Sequence, residues 1–585
     1  MMAIDDMNDV TGREHTNLMK HASTLLLMLL LVAYSAAGQD LSPPVLREAV
    51  FQLPSTLDPH VALVPDWNRF WMQAYEAPLK CELESGKLTV KPLLLATMPT
   101  ISSGGLVYTL AFRDNISFHD DPCFEGGKGR LLKASDFASV LRRHIDPSFA
   151  SPFYSAYLAG RLKGADAARA KAEADGLMDE TLPIAGITVL SDTQIRLTFE
   201  APFPQFTALM SMPWLSLIPN EARARYGSAI SERMVGTGPY LLDRAKTNGR
   251  ELVFAPNPNY WGIRSAQPRN GGVRFSLVAE LPHHEQRFAS GEIQLLDLWA
   301  VNRSKFLTGL GQVRRKVRPR RTTCIKSINA QLQYVSFNMR DKFLGNRKVR
   351  QALALAFDRK AYNREFYRGT AILANHMVPP ILSIVSGSEE KVWKYGSVDI
   401  RRARELLREA GFEDGKGLPE FLLDINYTGE EADRQAAFFA KQWARIGVRL
   451  QTRTQDFATF VGRVRDGVTQ IVLSGWFADY PDPENFYLML ASGAAPTPGV
   501  AVDSPNVGFF SNARYDRLYG ELCRLPFGEK RSDIGRQLIS IAQEECPWIF
   551  LVHPVRETLV SRGVTGFSCR SNYAASLSGV SVPAK

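Results

Sequence analysis

The chain has 585 residues, 45% hydrophobic and 22% charged, with a formal charge of +10. That length exceeds what a single core supports, and the composition is that of an ordinary soluble globular protein of two or three domains rather than a disordered or fibrous one. Spread over the whole chain, the positive charge is too dilute to argue for nucleic acid as a partner.

The amino-terminal region predicts the compartment. Residues 25–34 form a ten-residue apolar run, too short to span a bilayer and suited to the core of a signal peptide. Lys20 and His21 precede it, and Ser35-Ala36-Ala37-Gly38 offers small residues for cleavage. Asp5, Asp6, Asp9 and Glu14 do not suit a leader, so Met19 is the expected start and residues 1–38 the signal region. No cysteine follows the apolar run. A soluble periplasmic protein without a lipid attachment site is therefore expected. Six cysteines, at 81, 123, 324, 523, 546 and 569, predict disulfides in that compartment, with 81–123 and 523–546 the preferred pairs. No two have zinc-ligand spacing.

The first half reads as strands and turns. Trp67, Phe70, Trp71 and Tyr75 share one helical face, read as packing rather than a sugar platform. Residues 106–112 predict a strand that breaks at Arg113-Asp114-Asn115. Residues 133–144 predict a helix with Ser135 or Asp136 available as cap. Residues 165–174 predict a surface helix, and 188–190 with 194–199 a hairpin about Ser191-Asp192-Thr193. The densest basic run, Arg314 to Arg321, reads as a solvated loop, with contact to anionic membrane or nucleic acid as the alternative.

The second half changes character. Helices are expected at 349–357 and 400–410, the latter started by Asp399 and stopped by Gly411. A strand at 421–427, helix at 430–446, strand at 448–454, helix at 457–466 and strand at 470–476 follow. This βαβαβ alternation predicts a largely parallel sheet, whose ligands bind beyond the carboxyl ends of strands. At one such end lies Ser474-Gly475-Trp476-Phe477-Ala478-Asp479-Tyr480-Pro481-Asp482-Pro483-Glu484-Asn485-Phe486, in which Asp479 is expected as a buried carboxylate framed by aromatics and followed by two prolines. Asp482 and Asn485 read as turn formers.

Catalytic constellations do not emerge. Gly236-Thr237-Gly238-Pro239-Tyr240 lacks the third glycine of a dinucleotide fingerprint, and Gly411 to Lys416 has the wrong spacing for a phosphate-binding loop. His283-His284-Glu285 reads as solvated rather than metal-binding, and His119-Asp120-Asp121 as a capped turn. No nucleophile, base and orienter assemble.

Several segments, in order, resemble the family 5 extracellular solute-binding proteins of ABC importers, over roughly residues 45–575. They include Leu57-Asp58-Pro59-His60, Val235-Gly236-Thr237-Gly238-Pro239-Tyr240, Asn257-Pro258-Asn259-Tyr260-Trp261-Gly262, Tyr334-Val335-Ser336-Phe337-Asn338, Val349-Arg350-Gln351-Ala352-Leu353 and the Asp479 segment. The resemblance implies an α/β, two-lobed periplasmic-binding-protein fold (type II, cluster C) with an extra domain enlarging the first lobe. Lobe I is expected over 39–325, including a subdomain at about 80–210, lobe II over 326–547, and a return to lobe I over 548–585. It implies that Asp479 pairs with a peptide's amino terminus, that Gly475, Trp476 and Phe477 pair with its backbone, and that Tyr480 and Ala62, Leu63 and Val64 add contacts. Arg340, Arg350 and Arg453 are unranked options for the peptide carboxylate. The implied protein is a monomeric receptor without cofactor or catalysis, closing on a peptide and docking on membrane permease subunits. A metal chelate, an oligosaccharide or haem is the alternative ligand, and an exported hydrolase the alternative of another class.

Overall fold

A computed structural model describes residues 43–61, 64–176, 182–262, 268–299, 302–309, 311–382, 392–497, 505–568 and 572–583. Two mixed sheets organise the unit from Val45 to Val582. The first has seven strands in the order Thr323–Ile328, Val555–Val560, Leu295–Leu298, Leu46–Val50, Val273–Leu277, Glu251–Pro256 and Tyr240–Leu242. The second has six, ordered Ile372–Leu373, Trp548–His553, Gln331–Phe337, Ile471–Phe477, Phe421–Ile425 and Leu450–Thr454. The chain passes from first to second between Ile328 and Gln331 and back between His553 and Val555. Two short crossings are what a pair of hinged lobes requires. A four-stranded sheet, Thr100–Ser102, Val107–Ala111, Gln194–Thr198 and Ile187–Val189, is packed by the helix Ala134–Ile145 and enlarges the first lobe.

The βαβαβ alternation holds in detail. Phe421–Ile425 pairs in parallel with Leu450–Thr454 and with the start of Ile471–Phe477. The intervening helices, Glu430–Ala444 and Phe457–Arg465, cover the sheet, and Phe439 and Trp443 are fully buried. Asp399 and Asp456 cap their helices by accepting the N–H of Arg402 at 2.8 Å and of Thr459 at 3.0 Å. Asp136 acts from the third helical position, its carboxylate accepting the Lys133 N–H at 2.8 Å. Gly411 ends the helix Ile400–Glu409 with φ at +88°, where a side chain would be strained.

The two turns quoted from the first lobe meet at Glu76. Its carboxylate accepts hydrogen bonds from Thr237 Oγ1 (2.9 Å), Tyr260 Oη (2.7 Å) and Trp261 Nε1 (2.9 Å). Burial pushes its pKa up to about 7, against those three donors and the charge of Lys80. A Cβ on Gly236 would lie 2.3 Å from the Ala74 carbonyl oxygen, so the turn needs glycine for close approach. His119 is buried on the same turn, its Nε2 2.9 Å from the Gly238 carbonyl. His284 is likewise buried, its Nε2 2.7 Å from the Val278 carbonyl, a packing role in place of the expected solvated one.

The preferred disulfides are not formed. Cys123, Cys523 and Cys546 each stand outside any disulfide. Cys523 has its Sγ 3.8 Å from Glu484, whereas Cys546 is buried with its Sγ 3.7 Å from the Trp548 carbonyl, so each thiol belongs to a different environment. Closeness in sequence does not supply the Cα separation a disulfide needs. No helix among the described residues is long and apolar enough to cross a membrane.

Candidate functional site

The strand Ile471–Phe477 begins as core and ends as an edge. Ile471, Val472 and Leu473 are buried. On one side the whole strand pairs antiparallel with Gln331–Phe337. On the other, Phe421–Ile425 reaches only Ile471, Val472 and Leu473. Among the described residues the backbone of 474–477 therefore has a free edge, since the parallel partner stops short. Such an edge is a template for an extended chain.

Asp479 follows this edge. Asn485, returning after the prolines, organises it. Its Oδ1 accepts from Trp476 Nε1 at 2.8 Å and from the Asp479 N–H at 3.0 Å, and its Nδ2 donates to Asp479 Oδ2 at 3.0 Å. Tyr157, from the enlarged part of the first lobe, also hydrogen-bonds the carboxylate. Burial, with a smaller push from the Glu484 charge, raises Asp479 to about 6 against these neutral donors. No cation among the described residues pairs with it. An amide and a phenol orient the charge without cancelling it, so a ligand ammonium would find it uncompensated.

Behind Asp479 the turn is locked. Asp482 makes a bidentate pair with Arg531 (3.0 and 2.9 Å), both buried. Glu484 accepts from the hydroxyls of Tyr480 and Tyr519. Burial and the Asp482 charge push Glu484 above the usual carboxylate range. Tyr480 is buried, and its ring meets Tyr157 edge-on at 5.6 Å. It thus faces inward, as a wall under Asp479. The Tyr573 hydroxyl donates to the Ala478 carbonyl. Asn572, beside it, hydrogen-bonds Asp66 (3.1 Å) and Asn68 (2.8 Å). The segment starting at Val64 is thereby linked to the Asp479 turn through Tyr573, while Ala62 and Leu63 lie outside the described residues.

Two cavities adjoin these groups. One of about 170 Å³ is lined by Tyr334, Phe460, Val464, Ser474, Gly475 and Trp476, with Arg465 also on its wall. The other, about 250 Å³, lies in the first lobe, lined by Glu76, Lys80, Tyr260, Tyr573 and Ser576. The proposed carboxylate partners lie elsewhere. Arg350 is buried and donates to the carbonyls of Leu344 (2.8 Å), Gly345 (3.0 Å) and Glu545 (2.6 Å). Arg340 stacks over Phe509 at 4.0 Å, and Arg453 faces the buried Asp424 at 3.8 Å. Asn485 is the residue that sequence reading undervalued. Its signal was present in the spacing of Trp476, Asp479 and Asn485 around two prolines, which folds the amide back onto both.

The model of the bacterial extracellular solute-binding proteins, family 5 Middle, matches residues 89–497. Heme-binding protein A of Haemophilus influenzae is 25% identical over 500 residues, 83% of each chain. A dipeptide-binding protein of Escherichia coli is 24% identical over 567 residues, 93% of this chain and 94% of that one. In fold, the chain is similar to the periplasmic binding protein DppA of Helicobacter pylori in complex with the peptide STSA. That match has a TM-score of 0.70 and 21% identity over 92% of this chain and 98% of that one. HbpA2 of Haemophilus parasuis gives a TM-score of 0.75 and 21% identity, over 92% of this chain and all of that one (100%).

Proposed function

We propose, from the premise that this chain belongs to the bacterial extracellular solute-binding proteins of family 5, that it is an exported receptor that encloses a peptide between its lobes and presents it to the permease of an ABC importer. One observation carries the reading. A carboxylate raised to about 6, oriented by Asn485 and Tyr157 and unpaired with any cation among the described residues, stands at the end of a strand whose edge is free. The peptide backbone adds to the edge of 474–477, its ammonium meets Asp479, and Trp476 and Phe477 flank it. The cavity beside Trp476 receives an adjacent apolar side chain, and Arg465, whose Nε lies 3.7 Å from Asp466, is the cation on that wall that would turn to a ligand carboxylate. Val64, with Ala62 and Leu63, contributes from the first lobe. Backbone pairing tolerates many side chains, while the charge pair fixes register. Tyr157 and Tyr573 approach the same turn from other segments, so lobe closure and ligand capture are one event. The ligand is returned intact.

A second reading, an apolar non-peptide ligand, is favoured by the apolar lining beside Trp476 and by the haem-binding relative. Thermal unfolding against free peptides, their N-acetylated forms, haem, metal chelates and sugars separates the two. A ligand at a hundred times its Kd adds about 2.7 kcal/mol. Free peptides are expected to raise the Tm, and Asp479→Asn to weaken them far more than their acetylated forms. A response to haem, a chelate or a sugar with none to peptides would reject peptide capture. Equal losses for free and acetylated peptides would remove the ammonium role alone.

A further inference from the structure

A second charged site lies away from Asp479. Between the first-sheet strands Leu295–Leu298 and Thr323–Ile328 the chain carries Arg303 and Arg314. The helix Arg359–Tyr367, which follows the second-sheet strand Gln331–Phe337, carries Arg364 and ends at Arg368. These residues frame a concavity of about 270 Å³, with Ser304 and Thr308 on its wall. Every charged residue lining it is an arginine.

The local charges do not balance. Arg303 pairs with the buried Glu557 at 2.5 and 3.1 Å, but Lys326 also lies 3.7 Å from that carboxylate, so one anion faces two cations. Arg314 uses its Nε on the carbonyls of Ser304 and Leu307, both at 3.0 Å, which fixes the plane of its guanidinium without neutralising it. Arg364 and Arg368 are exposed and pair with no carboxylate among the described residues. The acidic neighbours are engaged elsewhere, Glu365 with Arg434 and Glu285 with Lys305. Arg368 closes the helix Arg359–Tyr367 with a left-handed φ of 54°. Five more exposed cations, Arg315, Lys316, Arg318, Arg320 and Arg321, follow on the adjoining loop.

Three uncompensated guanidinium groups converging on one concavity repel each other, and a single carboxylate would leave the set positive. A tetrahedral oxyanion carrying two or more charges matches both the charge and the forked donors, with the Ser304 and Thr308 hydroxyls as further donors. We propose that this concavity binds a phosphate-bearing anion, held between arginines that arrive from the first-sheet and second-sheet sides of the crossing. Because the anion bridges the two sides, its binding favours the lobe arrangement in which they face each other.

The test uses the full chain at constant ionic strength, titrated with inorganic pyrophosphate by calorimetry. A parallel arm measures cosedimentation with phosphatidylglycerol vesicles against phosphatidylcholine vesicles. Arg364→Gln/Arg368→Gln is expected to weaken anion binding at least tenfold, while its ligand-free Tm and its peptide affinity stay those of the parent. Saturable pyrophosphate binding sensitive to the double variant supports the site with a free anion as its source. Variant-sensitive binding of phosphatidylglycerol vesicles alone supports it with a lipid headgroup as source. Binding of neither, or binding that the double variant leaves unchanged, overturns the proposal.

Discussion

Asp479 and Asp482 sit on one turn and are held in opposite ways. Asp482 is fully buried and met by the two-pronged guanidinium of Arg531. Among the described residues Asp479 has an amide and a phenol for partners and no cation, and burial raises its pKa to about 6. The first is a structural charge that the fold itself completes. The second is left to be completed from outside. Glu76 shares the neutral partners of Asp479 but not its place: its three donors come from its own lobe, and the charge of Lys80 also acts on it. A buried carboxylate therefore marks a ligand site when its cation is missing and its neighbours include an unpaired strand edge.

Breaking the structural half should cost most. Asp482→Asn leaves Arg531 buried without its counter-charge, and loss of one partner of such a pair costs about 3–5 kcal/mol. Urea unfolding of the ligand-free protein should report that loss, and any variant that folds should keep the preference for free over acetylated peptides. An unchanged midpoint would mean that Asp482 does not lock the turn.

The next effect falls on orientation. Asn485→Ala removes the acceptor shared by Trp476 and Asp479 and the donor to the Asp479 carboxylate. Peptide binding, followed by calorimetry, is expected to weaken by about 1–3 kcal/mol, the cost of leaving such groups unsatisfied. Undiminished affinity would show that the anchor orients itself.

Much of this is legible in the amino-acid sequence. The strand and helix alternation from 421 to 477, the cap Asp399 and the stop at Gly411 rest on local rules, and these hold. The free edge could not be read, because it depends on where Phe421–Ile425 stops against its neighbour. That the two quoted turns converge on Glu76 was invisible for the same reason: Thr237, Tyr260 and Trp261 are brought to it by the fold and by no local pattern. The cysteines misled in the opposite direction, since even number and closeness in sequence say nothing about whether two side chains face each other.

The smallest effect is the most discriminating, because its sign separates a ligand site from a structural one. Asp479 has its folded-state pKa raised from 3.8 to about 6. Between those values the native state holds a proton that the unfolded state has released, so this group makes stability fall as pH rises through the window. Below about 4 both states are protonated and the penalty vanishes; above about 6 both are ionised and it is complete. Asn carries no such penalty and can still accept from Asn485. A shift of this size corresponds to about 3 kcal/mol, and partial solvent contact reduces it to about 1–2 kcal/mol. Asp479→Asn is thus expected to be more stable than the parent by that amount at pH 7.5 and equal to it at pH 3.5, measured by urea unfolding without ligand. The same substitution should weaken free peptides. A variant less stable at pH 7.5 would place Asp479 with Asp482 among the structural charges, and the distinction between the two halves of the turn would be lost.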